Sequence, residues 1–168
     1  GSMHLQQVSD SVRNAVYAAQ GMPAQYTVTD ICDGVATGHP GMSYSLVSRE
    51  MIAAMVEIHA RACAADGLVT ISSCDKAAPG HLMAIGRLDL PAVHVPGGSM
   101  MPGPGFISAD TGYETNLRVA EGSMTREEES YYKRNGCPSC GACQYMGTAS
   151  TMQCMSEALG IALPASAI

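Results

Sequence analysis

The sequence predicts an α/β fold, a three-layer α/β/α domain built on a mainly parallel sheet, and three observations carry that reading. Strand-like and helix-like tracts alternate as strand, helix, strand, helix, strand, the grammar of parallel strands joined by right-handed crossovers. The chain has 168 residues, enough for one domain with a real core. Its hydrophobic fraction is 46%, with one Phe, no Trp, 18 Gly and 12 Met, so the core must use small aliphatic and thioether side chains that let helices lie close to a sheet.

From Leu5 to Gln20 the residues Leu5, Val8, Val12, Ala15, Val16 and Ala19 recur at three- and four-residue steps before Gly21, which predicts an amphipathic helix. Gln25 to Cys32 alternates and is β-branched, so it reads as a first strand running into the glycine-rich loop ATGHPGM. Ser48 is expected to cap a helix burying Ile52, Met55, Val56, His59 and Cys63, ended by Asp66-Gly67. Leu68 to Ile71 is a second strand that empties into Ser72-Ser73-Cys74-Asp75-Lys76. Pro79-Gly80 opens a helix to about Leu88, and Ala92 to Val95 is a third strand ending at Pro96-Gly97-Gly98. Ser99 to Glu121 has no clear period and reads as a long loop. Thr125 with Glu128 forms a capping box for an exposed helix ending near Asn135-Gly136. Ser150 with Gln153 is expected to start a last helix that buries Met152, Met155, Leu159 and Leu163.

Composition excludes several functions. A net charge of −6 with only nine Lys and Arg leaves no basic patch for nucleic acid. No apolar run reaches the ~20 residues of a membrane span, because Glu57, His59 and Arg61 interrupt the best candidate. With no secretory pattern at the N-terminus the expected compartment is the cytoplasm, where thiols stay reduced. Charged residues are only 14%, against roughly 25% in ordinary soluble domains, so the chain is expected to pair with another copy or with a further domain. Gly1-Ser2-Met3 reads as an expression scar, which would place native sequence upstream.

The chemistry gathers at strand ends, where ligands of open parallel sheets bind. The three predicted strands deliver Cys32-Asp33, then Cys74-Asp75-Lys76, then bare Gly97-Gly98 to one rim. Thiolates suit an iron–sulfur cluster, and carboxylates suit a hard divalent ion such as magnesium. Each residue also has a plain reading: Cys32 as a small buried hydrophobe, Asp33 as a turn residue, Cys63 and Cys154 as core, His59 as a satisfied core histidine. His39, His81 and His94 have no ligand spacing. The three thiols of CPSCGAC, Cys137, Cys140 and Cys143, are a cluster or zinc signal, although a closed zinc site would have to recruit a distant fourth ligand such as Cys74.

The tracts CDGVATGHPGMSYSLVSRE, LVTISSCDKAAPGHLMA with VPGG downstream, and CGACQYMGTASTMQCMSEALGIALP resemble the successive signatures of the dihydroxy-acid and sugar-acid (phosphogluconate) dehydratases, in order and over nearly the whole chain. The resemblance is to the N-terminal α/β domain of enzymes about three times longer, whose second, β-rich domain is absent here. It implies a hydro-lyase that removes water from a 2,3-dihydroxy acid or sugar acid to give a 2-keto acid. It further implies an iron–sulfur cluster (2Fe-2S or 4Fe-4S) and Mg2+ as Lewis acids, and a dimeric or tetrameric parent.

Residue by residue, the resemblance implies Cys74 and Cys143 as cluster ligands, with Cys137 and Cys140 supporting or incidental. The family's first cluster cysteine falls on Gly1, a departure that trimming would explain unless Cys137, Cys140 or Cys32 substitutes. Asp33, Asp75 and Lys76 correspond to the magnesium ligands, Lys76 being carbamylated in relatives and counted with the catalytic groups. A further carboxylate and the serine base belong to the missing half, so the segment alone is expected to be inactive. The rival reading is a non-catalytic iron–sulfur or zinc-binding module.

Overall fold

The computed structural model describes residues 1–167. It is a mixed α/β fold, as the sequence predicts. Its centre is β1 (Leu68–Ser72), α4 (Ala77–Leu88) and β2 (Ala92–Pro96). The strands pair in parallel with Leu68 opposite Ala92 and Ser72 opposite Pro96. They therefore end level, and the residues that follow them emerge side by side. After α7 (Thr148–Ala158), Ile161 accepts a hydrogen bond from the His94 N–H at 2.9 Å and Ala162 bridges to His94, extending the sheet beyond β2.

The helix preceding β1, α3, spans Ser45–Ala62. It buries Ile52, Ala53, Val56 and Ala60 against Ala77, Ala84 and Leu88 of the α4 region, with Val28, Leu68 and Met83 at the margin. Small residues permit this close approach. At Gly80 an added Cβ would lie 2.9 Å from both the Arg49 carbonyl oxygen and Ile52 Cγ2. Asp89 ends α4 in the left-handed region, at φ 51°.

Several expectations need correction. Ser48 is not the cap of α3 but an interior, buried residue whose Oγ donates to the Ser45 carbonyl at 2.6 Å, because the 3-10 turn Pro40–Tyr44 already leads into the helix. Cys63 is exposed since α3 ends at Ala62 and Ala64 reverses the chain at φ 48°. The predicted first strand, Gln25 to Cys32, joins no ladder. Extended backbone becomes a strand only with a hydrogen-bonded neighbour, and here only Val28 of its apolar residues reaches the core. The helix before it, α1 (Leu5–Ala18), is amphipathic but has no buried residue.

The predicted long loop holds a helix, α5 (Thr111–Ala120), packed beside α6 (Arg126–Asn135). The capping box of α6 is present, with the Glu128 carboxylate accepting from the Thr125 N–H at 2.8 Å. For α7 the buried side is Ala149, Ser150, Gln153 and Ser156, whereas Met155, Leu159 and Leu163 face outward. The apolar period there marks a surface, and the polar side turns inward toward α4 and the chain leaving β1. The short helix α2 (Asp33–Ala36) follows Cys32.

Candidate functional site

The site sits where β1 and β2 end. Cys74, Asp75 and Lys76 follow β1 directly and open α4. The β2 exit loop is tied to the CGAC loop by two backbone bonds of 2.7 Å, Met100 N–H to Ala142 O and Ala142 N–H to Gly98 O. Gly141 permits that seam: its φ is +101°, and an added Cβ would lie 2.6 Å from the Ser99 carbonyl carbon. These bonds bring Cys143 to the strand ends although 68 positions in sequence separate it from Asp75.

Asp33 is the hinge of the arrangement. The Lys76 ammonium donates to its Oδ2 at 2.6 Å, and both side chains are largely shielded, at 17% and 16% exposure. Ser45 Oγ donates to Asp33 Oδ1. Burial pushes the Asp33 carboxyl up, but the Lys76 and Ser45 hydrogen bonds outweigh it and leave the group below its ordinary value. Asp75 goes the other way. Burial and then the Asp33 charge raise it, against the pull of Lys76 and of the Ala149 N–H. That N–H, at the first turn of α7, donates to Asp75 Oδ1 at 3.1 Å, placing the carboxylate at the positive end of a helix.

The thiols are dry. Burial and then the Asp30 charge push Cys74 up to about 12, and burial with the Asp75 charge raises Cys143. Cys143 Sγ lies 3.7 Å from the Tyr145 carbonyl. Loss of water around its carboxyl, and then the Asp75 and Asp33 charges, push Asp30 up to about 6, although the residue as a whole is exposed.

The family pattern described as "Dihydroxy-acid/6-phosphogluconate dehydratase N-terminal" matches residues 1–168. The chain belongs to that family. Relatives named "Dihydroxy-acid dehydratase" include one from Pyrococcus furiosus, 45% identical over 98% of this chain and 30% of its own length. Another, from Dehalococcoides mccartyi, is 45% identical over 98% of this chain and 31% of its own length. One from Clostridium pasteurianum is 45% identical over 98% of this chain and 58% of its own length. The chain thus spans about a third of the first two relatives' length.

The residues singled out from sequence fall into one corner and a remainder. Asp33, Asp75, Lys76, Cys74 and Cys143 share the strand-end corner through the bonds above. Cys63 and Cys154 lie elsewhere, on α3's far end and inside α7. His81 and His94 are buried beneath the site. His94 Nδ1 pairs with Thr70 Oγ1 at 2.9 Å and is pushed down to about 4 by burial and by His81, which makes it a core group. Among the described residues no three His, Cys, Asp or Glu side chains converge as one metal ion requires. Sequence reasoning did not single out Ser45, Asp30 or the α7 N-terminus. Ser45 lies in the quoted tract GMSYSLVSRE, but its twelve-residue reach back to Asp33 appears only once the 3-10 turn is formed.

Proposed function

We propose that the chain is the cluster- and magnesium-holding part of a hydro-lyase that removes water from a 2,3-dihydroxy acid or sugar acid to yield a 2-keto acid. The observation that carries this reading is the pairing of Asp33 with Lys76 beside Asp75, flanked by Cys74 and Cys143, in a chain of the dehydratase family.

The donor set fits the implied groups in part. Burial first and the neighbouring Asp33 charge second raise Asp75, and a cation relieves the repulsion between the two carboxylates. A lysine ammonium does so now at Asp33, and a hard divalent ion held by oxygen donors is the same kind of partner. Lys76 fits as a ligand only as a carbamate: its neutral amine adds to carbon dioxide, forming an N–C bond, releasing one proton and leaving an anionic oxygen donor. Cys74 keeps its proton near neutral pH unless a metal takes the proton's place. Cys74 and Cys143 would hold the cluster, and Asp33, Asp75 and carbamylated Lys76 the magnesium. When bound, the two groups supply Lewis acidity to the substrate carboxylate end and to the departing hydroxyl.

The chain's own residues set the stage. Ser45 fixes the Asp33 rotamer, and the Ala149 N–H turns Asp75 toward the same corner. Gly98, where an added Cβ would meet nothing within 4 Å, leaves backbone open where the substrate would lie, whereas Gly97 packs against Ser73, 2.6 Å from an added Cβ, and the buried Ser72 and Ser73 wall the strand end from water. In the full-length protein, Cys74→Ser and Cys143→Ser are expected to abolish iron–sulfur absorbance and dehydratase turnover, while Cys63→Ser and Cys154→Ser leave both. Unchanged iron content in Cys74→Ser sinks the reading.

A further inference from the structure

The glycine-rich stretch ATGHPGM holds none of the residues placed in the corner, but it lies between two that meet there. Ser45, itself buried, donates to Asp33 Oδ1 across twelve positions. Between them, Thr37 to Tyr44 contribute no buried residue, so directional bonds rather than packing decide the path of the chain. His39 stands at the middle of that path and makes two such bonds. Its Nδ1 accepts from the Gly41 N–H at 3.0 Å, and its Nε2 meets the Val35 carbonyl oxygen at 3.2 Å. A backbone N–H can only donate, so Nδ1 carries no proton; the neutral ring bears its proton on Nε2 and donates it to Val35. The imidazole thus ties one of the last carbonyls of α2 to one of the first amides of the 3-10 turn, two kinds of group that helix ends leave unpaired. The backbone is shaped to admit it. Gly38 turns at φ +89°, and an added Cβ on Gly41 would lie 2.9 Å from His39 Nδ1.

We infer that His39 is a positioning residue for Asp33: as the neutral imidazole protonated on Nε2, it clamps α2 to the 3-10 turn and so holds Ser45 Oγ against the Asp33 carboxylate. Its service to the reaction rests on the magnesium reading of the preceding section. The two bonds of the ring go to backbone, so it acts on Asp33 through the loop. Asp33 has one donor on each oxygen, Ser45 on Oδ1 and Lys76 on Oδ2 at 2.6 Å. With the clamp gone, the loop is free to carry Ser45 away, and Lys76 alone is left to orient the carboxylate. Thr37 Oγ1, which donates to the Asp33 carbonyl oxygen at 2.7 Å, fixes the near end of the loop only. Cys32, just before Asp33, adds no packing there, for its thiol is open to solvent and not the buried hydrophobe expected of it.

The test uses full-length protein stripped of magnesium and bicarbonate and treated with acetic anhydride, with the acetylated lysines located by mass spectrometry. Lys76, 17% exposed, is read against Lys133, 49% exposed. The inference expects Lys76 to be acetylated about fivefold faster in His39→Ala than in unmutated protein, the factor that two solvent-exposed hydrogen bonds are worth. His39→Asn keeps an acceptor in the place of Nδ1, and His39→Gln keeps a donor in the place of Nε2. Both are expected to fall in between, a rescue that mere filling of space would not give. Magnesium affinity, titrated with magnesium alone, is expected to follow the same order with iron per chain unchanged. Amide exchange of unmutated protein, resolved to single residues, is expected to find Gly41 protected. A Gly41 amide that exchanges at the free rate overturns the inference, and that arm needs no variant to fold. Equal acetylation of Lys76 in all four proteins overturns it as well. If Asp33→Asn loses magnesium but His39→Ala keeps it, the magnesium reading stands and His39 is a bystander. If Asp33→Asn keeps magnesium, that reading fails and this inference with it.

Discussion

The strand-end corner and the α1 flank are neighbours built on different principles. The corner is held by close packing behind it, with Ile52 and Ala84 fully buried, and by directional bonds within it. The flank has sequence periodicity of the same quality, yet α1 buries nothing completely. Between α1, the unpaired tract 21–30 and the sheet runs a groove of about 1150 Å3, lined by Leu5, Val12, Val16, Tyr26, Val56 and Ile71. It is bridged by contacts such as Tyr26 stacked on His59 at 4.2 Å and His4 Nε2 against the Gly97 carbonyl at 2.9 Å. Apolar periodicity thus specifies a helix and its face, but a second surface must arrive before that face contributes its full burial energy.

The sharpest way to break the corner without touching its packing is Lys76→Arg in the full-length protein. Arginine keeps the positive charge and can still pair with Asp33, but it cannot become a carbamate. Magnesium affinity and turnover are expected to fall about 100-fold or more with iron content unchanged. Turnover of unmodified enzyme after metal stripping is expected to depend on added bicarbonate. Retained magnesium affinity in Lys76→Arg rejects the carbamate role and leaves Lys76 a salt-bridge partner.

Behind the corner, Ile52→Ala is expected to cost about 3 kcal/mol, since a fully buried side chain leaves a cavity. Chemical denaturation measures it, and a cost below about 1 kcal/mol would show that α3 and α4 are not the foundation. Acid should attack the same layer. The folded His94 pKa is depressed from 6.5 to about 4, so the unfolded chain binds that proton first, and stability falls as pH drops through this window, by up to ~3 kcal/mol. Asp30 has the opposite sign. With its folded pKa raised to about 6, it opposes folding above that pH and ceases to do so as pH falls. Asp30→Asn is therefore expected to raise stability at neutral pH by about 1 kcal/mol, after allowance for its exposure, and to steepen the acid loss. A pH profile unchanged by the substitution would contradict this.

How much was legible in the sequence follows the same division. The β1–α4–β2 unit, the capping box and the placement of Cys74, Asp75 and Lys76 after β1 depend on local patterns and on the rule that parallel strands present their ends together. Those features were readable, whereas Asp33 reaches that group from a tract that is no strand, through Lys76 and Ser45. The α5 helix was not, because Thr111-Gly112 and Asn116 lie within it and blur its period. The orientation of α7 was misread because its buried side is polar: Gln153 is fully buried with its Nε2 turned to the Ser73 carbonyl at 3.5 Å. The unpaired tract 25–32 has strand-like residues, but pairing is a property of two segments.

The smallest expected effect sharpens the contrast most. Val12 points into the groove from α1, where no neighbouring surface closes over it. Removing its two methyl groups takes little apolar area out of contact and leaves no sealed cavity, because the groove is already open. Val12→Ala in the isolated chain is therefore expected to cost well under about 1 kcal/mol, offset in part by alanine's better helix propensity. The same substitution in the full-length protein measures whether further chain covers the flank. If α1 is covered there, the cost rises to about 2 kcal/mol. An equal and small cost in both would mean that α1 stays an exposed helix and that the groove is a permanent feature of the surface.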